Sequence, residues 1–412
     1  MRKDREPLPR GFASLWLTVV IDLLGFGIAL PLLPLYVKNE LGGSAVAVGV
    51  VLSAYSAAQL VGAPVLGRLS DRYGRRPVLV ISLIGSAVGH LFTGLASSVA
   101  LIIVARAFDG FSGGSLSIAH AAAADLAPPP QRPRLFGLLG AGIALGFVAG
   151  PALGSLAALG GHRLPFFLAA ALAGVNAATA WWRLPKLPPV AAAAGRPAVQ
   201  DAGPALLPAG SAWRLLAPSG LLGRSLLAVL LVGIGFSGFE ATFVLLGEDR
   251  VGLNERSAGL VFAGVGVVLS VVQAVLVKKV IGRLGATRTA RSSVLVTTAG
   301  FLLLVPALGW AGLVPALVAL TVGQGLLNPS MATIVSTVTP EERRGQVFGV
   351  QQAVGAASRI LGPLSATALF ALAVPAPYVA GAALAVVGAL ALLTLPVEDR
   401  APVPATAPAS GH

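Results

Sequence analysis

Apolar residues run through this chain in blocks of about twenty, separated by mostly short polar breaks, the more basic of which alternate with less charged ones. A helix of that length crosses a hydrocarbon layer roughly 30 Å thick. Twelve spans are predicted, near residues 12–37, 45–66, 78–96, 99–124, 135–159, 163–184, 224–246, 257–277, 290–308, 312–335, 346–373 and 375–395. The first follows a charged head, as a signal peptide would. Its apolar run is too long for one, and no small-residue cleavage site follows. The fold class expected is an all-α integral membrane protein of twelve transmembrane helices.

Composition sharpens that picture by exclusion. Charged residues make up 11% of the chain and hydrophobic ones 56%, where a soluble domain is about a quarter charged. At 412 residues there is no room for a large soluble domain beside the spans. The chain has no Cys, so disulfides, thiolate catalysis and Cys-bound metals are excluded. His90, His120, His162 and His412 are scattered, and neither a metal site nor a cofactor is expected. No Gly-x-Ser-x-Gly elbow and no Walker sequence occur, which argues against an enzyme and against ATP coupling within this chain.

Charge sets the orientation. With the N-terminus inside, most of the 29 Lys and Arg residues fall in interior segments: Arg2, Lys3, Arg5 and Arg10; Arg68, Arg72, Arg75 and Arg76; Lys278, Lys279, Arg283, Arg288 and Arg291, among others. Lys38, Arg163, Arg250 and Arg256 fall outside, and Arg106 and Arg359 lie within spans. This is the positive-inside asymmetry. It accounts for the net charge of +13 through anionic lipid rather than nucleic acid. Both termini are expected on the cytoplasmic side of the cell (inner) membrane, and the carrier is expected to be a monomer.

A Pro-, Ala- and Gly-rich stretch divides the chain. The organisation expected is a six-helix bundle over 1–185, a flexible cytoplasmic linker over 186–222, a second six-helix bundle over 223–398, and a cytoplasmic tail over 399–412. The two bundles repeat. At an offset of 212 residues, "PPPQRPRLFG" (128–137) lies on "PEERRGQVFG" (340–349), matching Pro128 to Pro340, Arg132 to Arg344, Phe136 to Phe348 and Gly137 to Gly349. Gly150-Pro151 then meets Gly362-Pro363. Parallel halves related by an axis along the membrane normal, with substrate held between them, are the architecture of the major facilitator superfamily.

Between spans 2 and 3 stands "VLGRLSDRYGRRPVLV". Gly67, Asp71, Arg72, Gly74, Arg75 and Arg76 match the superfamily's Gly-x-x-x-Asp-Arg-x-Gly-Arg-Arg loop. Gly67 is expected to let helices approach closely, and Gly74 to permit a tight turn. Asp71 is expected to pair with a neighbouring Arg or with a helix N-terminus of the other half. The resemblance implies that this loop clamps the inner gate. The second half has "KKVIGRLGATR", which keeps Gly282, Arg283 and Gly285 without an acid.

Span 5 reads "GIALGFVAGPALG". Gly142, Gly146 and Gly150 recur every fourth residue along one helix face, Pro151 favours a kink, and Gly154 extends the row. This resembles the Gly-x-x-x-Gly-Pro motif of the family's drug/proton antiporters. An importer of a small organic solute, the alternative within transport, would usually lack it.

Ionisable groups inside a membrane are costly and functional by default. Asp22, Arg106, Asp109, Glu240 and Arg359 qualify. Asp22 opens "DLLGFGIALPLLPLY", which resembles span 1 of tetracycline/proton antiporters, and "RAFDGFSGG" resembles their Arg-x-x-x-Gly motif of span 4. Asp22, Arg106 and Asp109 are therefore expected at a proton-coupling site, with Arg106 the cation available to Asp22 and, three residues away on one helix face, to Asp109. Glu240 and Arg359 are expected at the substrate cavity. His90 and His120 have no carboxylate near them in sequence and are read as packing residues. The resemblance to tetracycline exporters departs at span 3 ("VGHLFTG") and span 9 ("LVTTAGFLLL"), which lack the acids of that group. The function expected is proton-coupled efflux of small amphipathic drug-like molecules, a substrate range broader than tetracycline or different from it.

Overall fold

The computed structural model describes residues 7–128, 131–185, 220–339 and 344–394. Most of the linker, the tail, the head arginines up to Arg5, and the Pro340–Arg343 end of the repeat lie outside the described residues, as do the side chains of Arg344 and Phe348.

In lipid every backbone N–H and C=O must be satisfied within the protein, which leaves helices as the only open-ended way across. The apolar blocks accordingly form helices throughout: α1 (Phe12–Glu40), α2 (Ala45–Tyr73), α3 (Arg75–Leu95), α4 (Val99–Leu126), α5 (Arg132–Ala157), α6 (Leu164–Arg183), α7 (Leu221–Val251), α8 (Glu255–Leu284), α9 (Ala286–Leu304), α10 (Trp310–Val338), α11 (Arg344–Leu372) and α12 (Ala376–Leu393). Eleven are long and apolar enough by themselves to cross a membrane. The twelfth, α9, carries Arg288 and Arg291 near its start and a line of buried hydroxyls. Thr289, Ser293, Thr297 and Thr298 turn back onto the carbonyls of Gly285, Thr289, Ser293 and Val294. Their polarity is spent within the helix, so α9 packs against α10 and α12.

Helix starts follow local chemistry. Ser44 and Ser98 cap α2 and α4 by accepting from the backbone N–H of Ala47 and Leu101. Asn254 and Ser257 form a reciprocal box at the start of α8, which satisfies otherwise orphaned amides.

Two bundles of six result, each with its own core. One core is built around Phe12, Leu15, Leu79 and Leu139. The other contains Phe243, Phe301 and Leu320. The bundles are copies at the level of contacts. Gly27 on α1 meets Gly150 on α5, a Cβ on the first standing 3.2 Å from the second's Cα. In the second bundle Gly238 on α7 meets Gly362 on α11, at 3.1 Å from its carbonyl oxygen. The turns between the second and third helices of each half match as well. The sequence places a loop there, yet the chain stays helical up to Tyr73 and again from Arg75, with Gly74 alone at φ 98°. Gly285 does the same between α8 and α9 at φ 79°. Only Gly adopts such φ without strain, so one residue reverses the chain.

Candidate functional site

The halves meet through α2 against α11, α5 against α8, and the last turn of α1 against α7. Among the described residues, the hydrogen bonds and ion pairs that cross between halves lie toward one end, the end away from the chain termini. There Lys38 Nζ pairs with Glu248 Oε2 at 2.8 Å and Asn39 donates to Glu248 Oε1 at 3.1 Å. His162 lies 2.8 Å from Glu255 and 3.3 Å from Glu40. Ser53 donates to the carbonyl of Ile360 at 2.8 Å, and Ser155 to that of Arg256. Glycines let the backbones close: a Cβ on Gly259 of α8 would stand 2.5 Å from Pro151 O on α5.

At the terminus-bearing end the Asp71 loop is turned in on its own half. Asp71 pairs with Arg75, which also reaches Asp125 at 2.9 Å. Arg76 lies over the Trp181 ring at 4.9 Å, and Arg72 over Tyr73 at 5.4 Å. Nothing lies within 4 Å of a Cβ placed on Gly67. Among the described residues the close approach expected at Gly67 is therefore not made, in a molecule closed at the opposite end.

The Gly row of α5 is buried and lies on α1. Gly146 meets Leu23, Gly150 meets Gly27, and Gly154 meets Ile28, with a would-be Cβ at 2.5, 2.8 and 2.8 Å. Gly142 meets the Trp16 indole, whose Nε1–H donates to the carbonyl of Leu138 at 2.8 Å. This packing fixes α1, and with it Asp22, against α5.

Asp22 is not paired with Arg106, the cation its sequence made available. Arg106 gives its charge to Asp109, Nη1 to Oδ2 at 2.6 Å, with both side chains almost fully buried. The Arg106 guanidinium also stacks 4.5 Å above the Tyr55 ring on α2. Three residues along a helix brings such a pair together at little cost, whereas Asp22 is on another helix. Its Oδ2 instead accepts from Ser115 Oγ at 2.6 Å. Ser115 reaches it because α4 is interrupted at Gly113–Gly114 between two helical segments. Asp22 is partly exposed, and lies within electrostatic reach of Asp109 and Tyr55.

The facing wall carries Glu240 on α7 and Arg359 on α11. Glu240 is partly exposed and, among the described residues, makes no hydrogen bond and no ion pair within 4.0 Å. Arg359 is exposed although mid-helix, and lies within electrostatic reach of Glu240 and, across the gap, of Tyr55. Arg359 thus links Glu240 electrostatically to Tyr55 of the other half.

His90 is placed otherwise than its sequence neighbours suggest. It is buried on α3 within electrostatic reach of Asp109, because Gly89 lets α3 approach the Asp109 Cβ, 2.5 Å from a would-be Cβ. His120 hydrogen-bonds the carbonyl of Leu116 in its own helix at 2.8 Å. Tyr55 and Ser115 escaped the sequence reading, since neither is ionised at neutral pH and only the fold brings them to the charged groups. Among the described residues no cluster of His, Asp and Glu could hold a metal ion.

A multi-pass membrane protein of two repeated six-helix bundles with charged residues between them is a carrier by architecture. The chain belongs to the Major Facilitator Superfamily, whose sequence model matches residues 15–363 and 321–411. It is 33% identical over 359 residues to the tetracycline resistance protein, class G, of Vibrio anguillarum, covering 86% of this chain and 88% of that one. It is 27% identical to multidrug resistance protein 1 of Bacillus subtilis (strain 168), covering 87% and 89%. Among solved structures it resembles the human organic anion transporter MFSD10 (TM-score 0.68, 25% identity, covering 93% of this chain and 99% of that one). It shares its fold with the nucleoside transporter NupG (TM-score 0.77, 15% identity, covering 93% and 98%). These relatives are transporters and resistance proteins rather than enzymes.

Proposed function

We propose that the protein exports small amphipathic drug-like molecules across the cytoplasmic membrane in exchange for protons, by alternating access, with both termini cytoplasmic. The observation that carries this reading is Asp22: an acid in the membrane, partly exposed, hydrogen-bonded by Ser115 and within electrostatic reach of a second acid, Asp109. Such a group can take a proton from one side and release it to the other as the halves rock. In this orientation the closed end is the external one, and the structure is the inward-facing state in which substrate enters.

Glu240 and Arg359 serve recognition in this scheme, one offering charge to cationic groups and the other to anionic ones. Likeness to tetracycline resistance proteins supports drug export. The lack of acids in α3 and α9 supports a substrate range broader than tetracycline or different from it. One proton moving down 100 mV releases about 2.3 kcal/mol. That sustains a roughly fifty-fold gradient of a neutral substrate at tenfold per 1.4 kcal/mol.

The test is dye accumulation in everted vesicles, with and without a proton gradient, for wild type and Asp22→Asn. Export is expected to need the gradient and to stop in Asp22→Asn, while ligand binding in detergent survives. Undiminished proton-driven export by Asp22→Asn would remove Asp22 from the mechanism. Gradient-driven movement in the opposite direction would favour the importer of a small solute.

A further inference from the structure

We propose that Ser115 is a positioning residue for the proton site, holding the Asp22 carboxyl in both of its protonation states. This rests on the reading that Asp22 carries the proton. Its geometric basis is independent: the 2.6 Å contact from Ser115 Oγ to Asp22 Oδ2, made possible by the interruption of α4.

The surroundings single the hydroxyl out. Arg106 is committed to Asp109 and stacked on Tyr55, so it does not hold Asp22. The ionisable groups within electrostatic reach of Asp22 are Asp109 of α4 and Tyr55 of α2, both of which Arg106 touches, with His90 of α3 one helical turn away, 3.8 Å from a Cβ on Gly25. The helices packed most closely on α1 are α5 and α6. At this level they bring glycines and Asn176, whose Nδ2 donates to the Thr18 carbonyl at 2.9 Å. Ser115 is the one side chain among the described residues that hydrogen-bonds Asp22.

A hydroxyl is suited to this place because it both donates and accepts. With Asp22 ionised, Ser115 O–H donates to the carboxylate. When a proton arrives, the carboxyl O–H donates and Ser115 Oγ accepts, so the contact survives loading and release. A Lys or Arg here would hold only the charged form, and an Ala neither. Ser115 also stands at the start of the second segment of α4, directly after Gly113–Gly114. A rotation at those glycines moves the donor relative to α1, which couples the proton's hold to helix movement.

The experiment measures the pH profile of export in proteoliposomes for Ser115→Ala, Ser115→Thr and Asp22→Asn. The charge-assisted bond to the ionised form is the stronger of the two, so on balance it favours that form. Its loss in Ser115→Ala is expected to move the acid limb of the profile about one pH unit upward, with maximal export reduced several-fold. Ser115→Thr, which keeps the hydroxyl, is expected to restore the wild-type limb. A Ser115→Ala profile like that of wild type would overturn the role of Ser115 even where Asp22→Asn abolishes export. A slower Ser115→Ala carrier with an unshifted limb would also overturn it, as a packing effect. If Asp22→Asn retains gradient-driven export, the reading of Asp22 itself falls, whatever Ser115→Ala does.

Discussion

Asp22 and Glu240 are both acids in the membrane, and their surroundings separate their roles. Asp22 has a hydroxyl donor and a second acid, Asp109, within electrostatic reach. Glu240 has no hydrogen-bond partner among the described residues and faces Arg359. Glu240→Gln is therefore expected to weaken cationic substrates about tenfold, near 1.4 kcal/mol, and neutral ones little, as read by competition binding. Equal weakening of both would show that Glu240 shapes the cavity rather than recognising charge. The buried Arg106–Asp109 pair belongs to a third category. Removing one partner leaves the other charge stranded, at about 3–5 kcal/mol. Asp109→Ala is expected to lower the amount of folded carrier extracted from membranes, whatever its effect on transport.

At the scale of elements, glycines decide how closely helices run and where the chain turns. Gly150 lies against Gly27, with a would-be Cβ 2.8 Å from the Gly27 Cα. A branched side chain there must push α5 off α1, and overpacking of this kind costs about 1–3 kcal/mol. Gly150→Leu is expected to give an inserted carrier with a lowered melting temperature and no export, while full transport by it would deny the glycine face a packing role. Gly74 and Gly67 offer a contrast within one motif. Gly74→Ala forces a side chain into φ 98° at a cost of about 1–2 kcal/mol. Gly67→Ala meets nothing in this conformation. Thermal melting should therefore register the first and not the second. A loss of transport in Gly67→Ala without a loss of stability would locate its contact in the opposite, outward-facing state.

For the whole molecule the end away from the termini is held by charges from both halves: Lys38 with Glu248, and His162 between Glu40 and Glu255. These pairs are partly exposed and worth little individually, which suits an outer gate in the proposed transport cycle. The chain has no Cys, so a pair introduced at Lys38 and Glu248 reports without background. Bridging Lys38→Cys/Glu248→Cys with a short bis-methanethiosulfonate reagent is expected to cross-link the halves, arrest export and leave substrate binding from the terminus-bearing side intact, with reduction restoring activity. Continued export by the cross-linked protein would mean that this end does not open during transport.

What the sequence by itself determined is what local pattern can carry. Apolar length placed the helices, Lys and Arg asymmetry gave the proposed orientation, and spacing every fourth residue put Gly142, Gly146 and Gly150 on one face. The 212-residue repeat showed two like halves, and Arg106 with Asp109 could be paired because three residues along a helix are neighbours. Tertiary structure decided everything that needs two helices at once. It gave Asp22 to Ser115 rather than to Arg106, brought His90 to Asp109, stacked Tyr55 on Arg106, and set Lys38 against Glu248. It also left Gly67 with nothing among the described residues within 4 Å of a would-be Cβ. Helical periodicity fixes the direction of a side chain from its own axis, but its partner depends on the rotation and offset of a second axis. Those are set by packing over the full length of both helices.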